Sequence, residues 1–233
     1  MTLAQLITEL EAYLDRTDIS DAQFYNFINL GIKMLERKYN FKHMKVRYEQ
    51  SLSDGDYAFN NPITNYKELK NAHIIDSNGY RYPPLMRGTQ EQITNLYPDY
   101  DDNKGRPLYI ADITTVESSL TPDALPTSQW LVRPTADDSY TLEINAYQYS
   151  AALDGSTYTT NWWTQNAWEI ALYITLREAE TFGKNYAGAE YWDKRLREPL
   201  SDLIKSEIDE KISGSSHNII RSKYVNNFNI DYA

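Results

Sequence analysis

The chain has 233 residues, no cysteine and a formal net charge of −10. The lack of cysteine excludes disulfides, thiolate metal sites and cysteine nucleophiles, and the acidic balance argues against DNA binding through phosphate contacts, which needs Lys and Arg. No apolar run approaches the roughly 20 residues that cross a bilayer, and the N-terminus lacks the plan of a signal peptide. We therefore expect a protein with no membrane contact that is made in a cytoplasm.

Two helices are predicted at the N-terminus. Each begins with a capping box, and apolar residues then recur at helical spacing. The first helix ends near Asp15, and the second runs to Tyr39 with Gly31 on its apolar face. Because glycine costs helix stability relative to alanine, Gly31 indicates the close approach of another helix. The capping pairs are Thr2 with Gln5 and Ser20 with Gln23.

A proline-rich stretch with strand patterns follows, since eight of the nine prolines lie between Pro62 and Pro134. Proline is excluded from helix interiors, so this part is predicted to be β-rich. A strand is expected over Lys45–Leu52, with 57–59 returning as its partner. Asn78-Gly79 predicts a type I′ hairpin turn between strands at 72–76 and 80–85.

Further strands complete the predicted β-rich part. Thr89 with Gln92 caps a short helix, and 108–113 is predicted to be another strand. We expect 128–132 and 140–149 to form a long pair that turns through 134–139.

Helices resume at Asn161, a favourable N-cap residue. The first runs to about Phe182, where Gly183 suits its end. The last starts near Ala187 and contains Pro199, which predicts a kink or a break because the proline ring clashes with the preceding turn.

The last twenty residues differ in composition from the rest. After a Ser/Gly linker at 213–216, apolar residues recur where a disordered tail would have few. One interpretation is a last strand that packs on its own domain, and the other is a segment that docks on a partner, which we favour. The candidate docking residues are Ile219, Ile220, Tyr224, Val225, Phe228, Ile230 and Tyr232.

The sequence lacks several common motifs of enzymes and metal sites. The acidic run 99–105 lacks the glycine and glutamate positions of a calcium loop, Gly183-Lys184 lacks the upstream glycine of a phosphate loop, and no G-x-S-x-G motif occurs. No catalytic residue, metal ligand or cofactor site is therefore predicted, and the protein is expected not to be an enzyme. A glycosidase with two paired carboxylates remains open as a minor alternative.

The order of several segments resembles the head-to-tail adaptor proteins of short-tailed DNA bacteriophages, the tail tubular protein A group. The resemblance begins with the opening helix pair through Tyr39. A strand that ends in a proline turn is then followed by a strand that ends in Tyr. After these strands comes a helix with alanines at regular intervals, and then a helix rich in Tyr, Trp and Arg. These later segments are Trp130–Pro134, Tyr140–Tyr147, Asn161–Gly183, with Ala167, Ala171 and Ala179, and Ala187–Leu200.

The resemblance implies an α+β fold: a helical bundle formed by N- and C-terminal helices, a β-rich insertion and an extended C-terminal tail. We expect the bundle over 1–43 and 151–213, the insertion over 44–150 and a partner-docking tail over 214–233. It further implies a structural connector in the virion neck, made in the host cytoplasm. Twelve copies would form a ring that contacts the portal protein and the tail tube or nozzle protein.

In such a ring the tail residues from Ile219 to Tyr232 would reach the portal. DNA would pass through the channel without specific binding during ejection, as an acidic lining permits. The 20 tyrosines suit subunit interfaces, although strands also favour tyrosine. Together with the tryptophans, they motivate the alternative function, a carbohydrate- or receptor-binding module of a phage tail. In the glycosidase alternative, the residues that would stack on sugars are Trp130, Trp162, Trp163 and Trp168.

Overall fold

The computed structural model describes the backbone of residues 1–16, 18–99, 103–115 and 127–213, without the side chains of 114, 115, 127 and 209–213. The predicted α+β class is confirmed, because these residues form six α-helices and eight strands. The helices are α1 Leu3–Leu14, α2 Asp21–Lys38, α3 Gln90–Leu96, α4 Trp162–Asn166, α5 Trp168–Phe182 and α6 Tyr186–Ser213. The strands are β1 Lys45–Leu52, β2 Ala58–Asn60, β3 Tyr66–Ile75, β4 Arg81–Pro84, β5 Met86–Arg87, β6 Tyr109–Thr115, β7 Thr127–Arg133 and β8 Tyr140–Gln148.

The chain divides into two compact units. The helical unit contains Met1–His43 and the chain from Ser150 onward, and the β unit contains Met44–Tyr149.

Helices from both ends of the chain pack together in the helical unit. The helices α1, α2, α4 and α6 all contact α5. The segment before α4 also connects the N-terminal helices to the C-terminal part of the chain, because Leu3 donates its backbone N–H to the carbonyl of Thr159 at 3.0 Å. The Asn29 side chain also donates to the Leu153 carbonyl at 2.9 Å and accepts from the Leu153 N–H at 2.8 Å. The prediction that the terminal helices form one bundle is therefore confirmed.

The glycine on α2 marks the crossing of α2 and α5. A Cβ atom built on Gly31 would lie 2.9 Å from Cγ2 of Ile174. Since real Cβ atoms almost never approach another heavy atom so closely, α2 could not lie this near α5 with a larger residue at position 31. The close approach that the sequence indicated is present.

The helix predicted from Asn161 to Phe182 is two helices. The Asn161 side chain caps α4 by accepting from the Thr164 N–H at 3.1 Å, and Ala167 then leaves helical geometry, with φ −139° and ψ 43°. The break separates Trp163, which is fully buried, from Trp168, which is 42% exposed. The prediction of one continuous helix was wrong at Ala167.

The last helix continues through its proline. No break occurs, since α6 runs from Tyr186 to Ser213 with Pro199 inside it. Pro199 has no N–H, so the carbonyl of Arg195 lacks its helical donor at this point.

The β unit is built from two four-stranded sheets, with strand orders β1-β8-β3-β4 and β2-β7-β6-β5. Side chains from both sheets form one core, including Leu69 and Ile144 of the first sheet and Trp130 and Val132 of the second. On the second sheet, residues that alternate with this core pack against Ile93 of α3. The β-rich prediction is thus met by a sandwich with one helix on an outer face.

Two predicted strand pairings were wrong. The strand β2 pairs with β7, not with β1, and Phe59 lies opposite Trp130 with the two rings 5.7 Å apart. The strands β7 and β8 belong to different sheets. Their connection is not a hairpin, because Ala136 is fully buried and exchanges backbone hydrogen bonds with Gly55 and Asp56.

The hairpin at Asn78-Gly79 forms with a different turn. The strands β3 and β4 pair antiparallel as predicted, and Gly79 has a positive φ of 80°. Asn78 is not among the residues with positive φ, so the turn is not type I′, which requires positive φ at both central positions. Instead the Gly79 N–H donates to the Asp76 carbonyl at 3.0 Å.

Candidate functional site

The residues predicted to dock on a partner lie outside the described part of the chain. All of them fall in 214–233, and they are Ile219, Ile220, Tyr224, Val225, Phe228, Ile230 and Tyr232. Their role stays a prediction. The described surfaces of the helical unit offer other candidates for partner contact, and a buried polar cluster holds that unit together.

A buried carboxylate joins three segments of the helical unit. Glu36 of α2 is 1% exposed. Its Oε1 accepts from Trp163 Nε1 at 2.7 Å and from the Ser150 hydroxyl at 2.5 Å, and its Oε2 accepts from the Ser150 backbone N–H at 2.9 Å. A buried charge costs several kcal/mol unless it is paired and hydrogen-bonded. These hydrogen bonds are therefore needed to keep Glu36 buried, and they hold α2 against α4 and against Ser150.

A histidine completes the cluster inside an aromatic stack. The His43 ring lies parallel to Trp162 at 4.0 Å and parallel to Phe41 at 5.7 Å, and it meets Trp163 edge-on at 5.3 Å. Its Nε2 lies 3.5 Å from Glu36 Oε1. The stack packs the residues after α2 against α4.

The cluster lowers the pKa of its carboxylate. Burial alone would raise the pKa of Glu36, but contacts from His43, Ser150 and Trp163 to the charged form outweigh burial and bring the pKa below its usual value of 4.5. Glu36 therefore stays ionised at neutral pH and acts as a hydrogen-bond acceptor. This arrangement serves to hold the fold, because one carboxylate bonds to both Ser150 and Trp163 from the side of α2.

A groove of about 600 Å³ lies between α2 and α6, with residues of α5 at its base. We call it the α2–α6 groove. Its apolar lining consists of Met34, Leu35, Ile174, Leu196, Leu200 and Ile204. Leu30 and Met34 extend the apolar surface along α2, at 48% and 42% exposed.

The charged lining of the α2–α6 groove is mostly basic. It consists of Lys38, Arg177, Arg197 and Lys205, against one carboxylate, Asp193. Burial would raise the pKa of Asp193, but hydrogen bonds from Arg197 and Arg177 outweigh it and lower the pKa. Three of the four basic side chains already pair with carboxylates of the same chain: Arg177 with Glu178 and Asp193, Arg197 with Asp193, and Lys205 with Asp202.

The other side of α6 carries a second, different surface. We call it the aromatic flank, and it consists of Tyr13, Tyr173, Tyr191, Arg195 and the pocket residues Glu169, Lys194 and Glu198. Tyr13 and Tyr191 remain 54% and 50% exposed although both rings meet Trp192, at 5.6 and 4.9 Å. Tyrosine and arginine are among the residues that are enriched at the energetically dominant positions of protein interfaces.

The tryptophans proposed for sugar stacking are mostly unavailable to a ligand. Trp130 and Trp163 are fully buried, and Trp162 stacks on His43. Trp168, the first residue of α5, is 42% exposed. These positions give no support to a sugar platform.

In the part of the chain that the structure describes, no group of three or more His, Asp or Glu side chains is placed to hold a metal ion. Within the same residues, no helix is long and apolar enough to cross a membrane.

Sequence reasoning missed the Glu36 cluster and the α2–α6 groove. A signal for the first was present, because Glu36 continues the i, i+4 row of Ile28 and Ile32 on the buried face of α2, where a charge is unexpected. The groove had no comparable signal. It depends on how far apart α2 and α6 lie on α5, which periodicity does not encode.

Comparison with known families gave one match that spans both units. The family model described as SU10 adaptor protein matches residues 1–219. No curated protein sequence matches the chain.

Proposed function

Because the chain belongs to the SU10 adaptor protein family, a family of phage adaptor proteins, we propose that it forms a ring between the portal and the tail of a virion. The family gives the coarser role: a structural connector of the virion neck that associates with portal and tail proteins. The ring of twelve copies, the DNA channel and the short-tailed type of phage are parts of the proposal, and they follow the resemblance to the tail tubular protein A group.

The match over residues 1–219 is the observation that carries the proposal. It spans nearly all of the helical unit and the whole β unit, so the family relationship concerns the architecture and not one shared motif. The two exposed surfaces of the helical unit, the α2–α6 groove and the aromatic flank, are consistent with a protein that functions by binding other proteins. The net charge of −10 is consistent with a channel past which DNA slides, because like charges repel.

The proposal extends to the domains. The helical bundle over 1–43 and 151–213 would form the body of each subunit, with the β-rich insertion over 44–150 attached to it. The tail over 214–233 would reach the portal, with Phe228, Ile230 and Tyr232 among its anchors. The family match ends at residue 219, so most of this tail lies beyond the part that the family model covers.

The assembly test uses the purified chain with its portal. We expect the chain, of 27.1 kDa, to bind the portal and to add the mass of twelve copies, because a cyclic ring matched to the portal fixes the copy number. Native mass spectrometry of the chain alone, the portal alone and the mixture measures this. A chain that stays monomeric and does not bind the portal would overturn the proposal.

A second expectation concerns the tail. A chain that ends at residue 213 should keep the far-UV circular dichroism and the urea midpoint of the full chain, because all six described helices precede that point, yet it should no longer bind the portal. The matched control is a full-length chain with its seven apolar tail residues replaced by serine, which should also fail to bind. Loss of the fold on truncation would instead place the segment in the core.

A further inference from the structure

Three of the four edge strands in the β unit are poor templates for a further strand. Among the described residues, the first sheet ends at β1 and β4 and the second at β2 and β5. The strands β2 and β5 have three and two residues, and two of the four residues of β4 are prolines. Short edges and prolines keep other chains from pairing with the open backbone. The fourth edge strand, β1, has eight residues and no proline.

The β1 strand has an open backbone along one side. It pairs with β8 residue for residue over its whole length, without a bulge. In such a ladder every second residue points its N–H and C=O away from the partner strand, and no other strand of the described chain pairs with that side of β1. Charged side chains can also protect an edge, but Arg47 is already paired with Glu49 and Glu143. An extended segment can therefore add to β1.

The two faces of β1 set the pattern that an added strand must have. Val46 and Tyr48 are half-buried and pack against the core of the β unit, whereas Arg47 and Glu49 are exposed and alternate with them along the strand. An added strand continues both faces, and its side chains alternate between them. It therefore needs apolar residues at alternate positions, to cover Val46 and Tyr48, and polar residues between them.

The last part of the chain has this pattern in its sequence. The segment 224–232 lies outside the described residues and is about as long as β1. Its even positions are apolar except for Asn226, and its odd positions are polar except for Val225. Alternation of this kind is typical of a strand with one buried face. The apolar members are Tyr224, Phe228, Ile230 and Tyr232, and the polar members are Asn227, Asn229 and Asp231.

The linker before this segment is long enough to reach β1. In the helical unit, Glu207 of α6 accepts the Lys42 backbone N–H at 2.9 Å. Lys42 lies three positions before the start of β1, about 11 Å at most, and α6 ends at Ser213, about 9 Å beyond Glu207. The linker 214–223 spans about 33 Å when extended, which exceeds the sum of these distances and the length of the Glu207 side chain. The segment can therefore reach the edge of β1 in the same chain.

We propose that residues 224–232 add to the open edge of β1 in the same subunit before assembly, and that binding to the portal releases them. The release rests on the portal contact proposed above, whereas the pairing with β1 does not. Strand addition supplies backbone hydrogen bonds, and alternate side chains give it specificity. An open edge and an apolar tail each favour association with other chains. Pairing the two within one subunit covers both until the portal is bound.

The paired segment opens more easily than the β unit unfolds. A strand that must leave β1 opens locally, at a lower free-energy cost than global unfolding. Urea therefore releases the segment before the core unfolds, and the urea midpoint of a chain that ends at residue 213 stays that of the full chain, as expected above. The pairing is detected instead by the exchange of backbone amides, which reports local opening.

Amide hydrogen exchange, resolved by NMR, tests the pairing in the full chain and in the chain that ends at residue 213. In the truncated chain every second amide of β1 should exchange as an exposed amide does, and in the full chain the same amides should be protected. The amides that face β8 should be protected in both chains. This alternation distinguishes a paired strand from a tail that only covers the surface. Equal exchange of every β1 amide in the two chains would overturn the proposal.

Double proline substitutions distinguish strand pairing from other effects of the tail. Asn229→Pro with Ile230→Pro removes two consecutive N–H groups, one of which points to β1 whichever way the segment faces. This variant should lose the protection of β1 as the truncated chain does. Ser215→Pro with Ser216→Pro makes the same change in the linker and should keep the protection. Protection that survives the substitutions within the segment would contradict strand addition.

Dilution and addition of the portal distinguish this inference from the proposed function. Protection within one subunit should not change when the chain is diluted, and protection that falls on dilution would overturn the proposal, because the segment would then come from a second copy. Portal present during exchange should remove the protection, which mass spectrometry of the β1 peptide measures. A bound portal that leaves β1 protected would overturn the release. A chain that is protected at β1 but does not bind the portal would overturn the proposed function and leave the pairing in place.

Discussion

Replacing Glu36 with alanine is expected to lower the free energy of unfolding by about 3 to 5 kcal/mol, the cost of removing one partner from a buried charged network. The carboxylate accepts from Trp163 Nε1 and from both donors of Ser150. Without it, these buried donors lose their acceptor, and each unsatisfied group costs about 1 to 3 kcal/mol. Urea unfolding followed by far-UV circular dichroism measures the change.

Two further variants provide reference values for the stability change of Glu36→Ala. Glu11→Ala removes an exposed carboxylate from α1 and should change stability by less than about 0.5 kcal/mol, as surface substitutions usually do. Trp163→Phe removes a single donor while keeping most of the buried ring, so it should cost less than Glu36→Ala. Equal stability of Glu36→Ala and the unsubstituted chain would show that the cluster does not hold the helical unit.

The same cluster gives the protein an acid-sensitive component of stability. The folded pKa of Glu36 lies below its usual value of 4.5, so the carboxylate stabilises the fold fully above that pH, and its contribution is lost as the pH falls through the folded pKa. The stability difference between the unsubstituted chain and Glu36→Gln should therefore be largest near neutral pH and shrink in acid. A difference that grew as the pH fell would mean that the folded pKa is raised.

Local features of the fold could be predicted from the sequence because they depend on near neighbours. The Thr2–Gln5 and Thr89–Gln92 capping boxes form as expected, and the strand at Lys45–Leu52 has the predicted bounds. A cap needs residues three apart, and a strand needs alternation over a few positions. Both signals are complete within a short window.

Strand partners could not be predicted in the same way. The β7 and β8 strands follow each other and are joined by a turn-rich segment, which favours a hairpin. The structure separates them because Ala136, in that segment, bonds to Gly55 and Asp56, some eighty residues earlier. Strand pairing here depends on contacts between residues that are far apart in the sequence. The hydrophobic periodicity of either strand gives no information about those contacts.

The candidate site, too, could be predicted from the sequence only in part. The tyrosine content pointed to interfaces, and the aromatic flank is one place where tyrosines are exposed. The α2–α6 groove required the positions of three helices, since its apolar lining draws on α2, α5 and α6. The residues of a helix that line a groove have the same spacing as residues that enter a core, and only the neighbouring helices distinguish the two.

Substituting valine for Gly31 is expected to destabilise the helical unit by about 2 to 3 kcal/mol, the range for overpacking a well-packed contact. The new Cβ would lie 2.9 Å from Ile174 Cγ2 and 3.0 Å from its Cγ1, and β-branched side chains such as isoleucine strongly prefer one χ1 rotamer in a helix. Alanine at position 31 would meet the same contact, but it recovers about 1 kcal/mol of helix propensity relative to glycine, so its net effect is smaller. Urea midpoints of the two variants should follow that order.

A double-mutant cycle identifies the cause, because a steric clash has a specific partner. Ile174→Ala alone should cost about 2 to 5 kcal/mol through the cavity that it leaves, yet the same substitution makes room for a side chain at position 31. The Gly31→Val and Ile174→Ala pair should therefore be more stable than the sum of the single changes predicts, by about 1 kcal/mol or more. Leu30→Val, on the exposed side of α2, controls for the lower helix propensity of valine. Strict additivity would mean that Gly31 serves α2 for a reason other than the approach of α5.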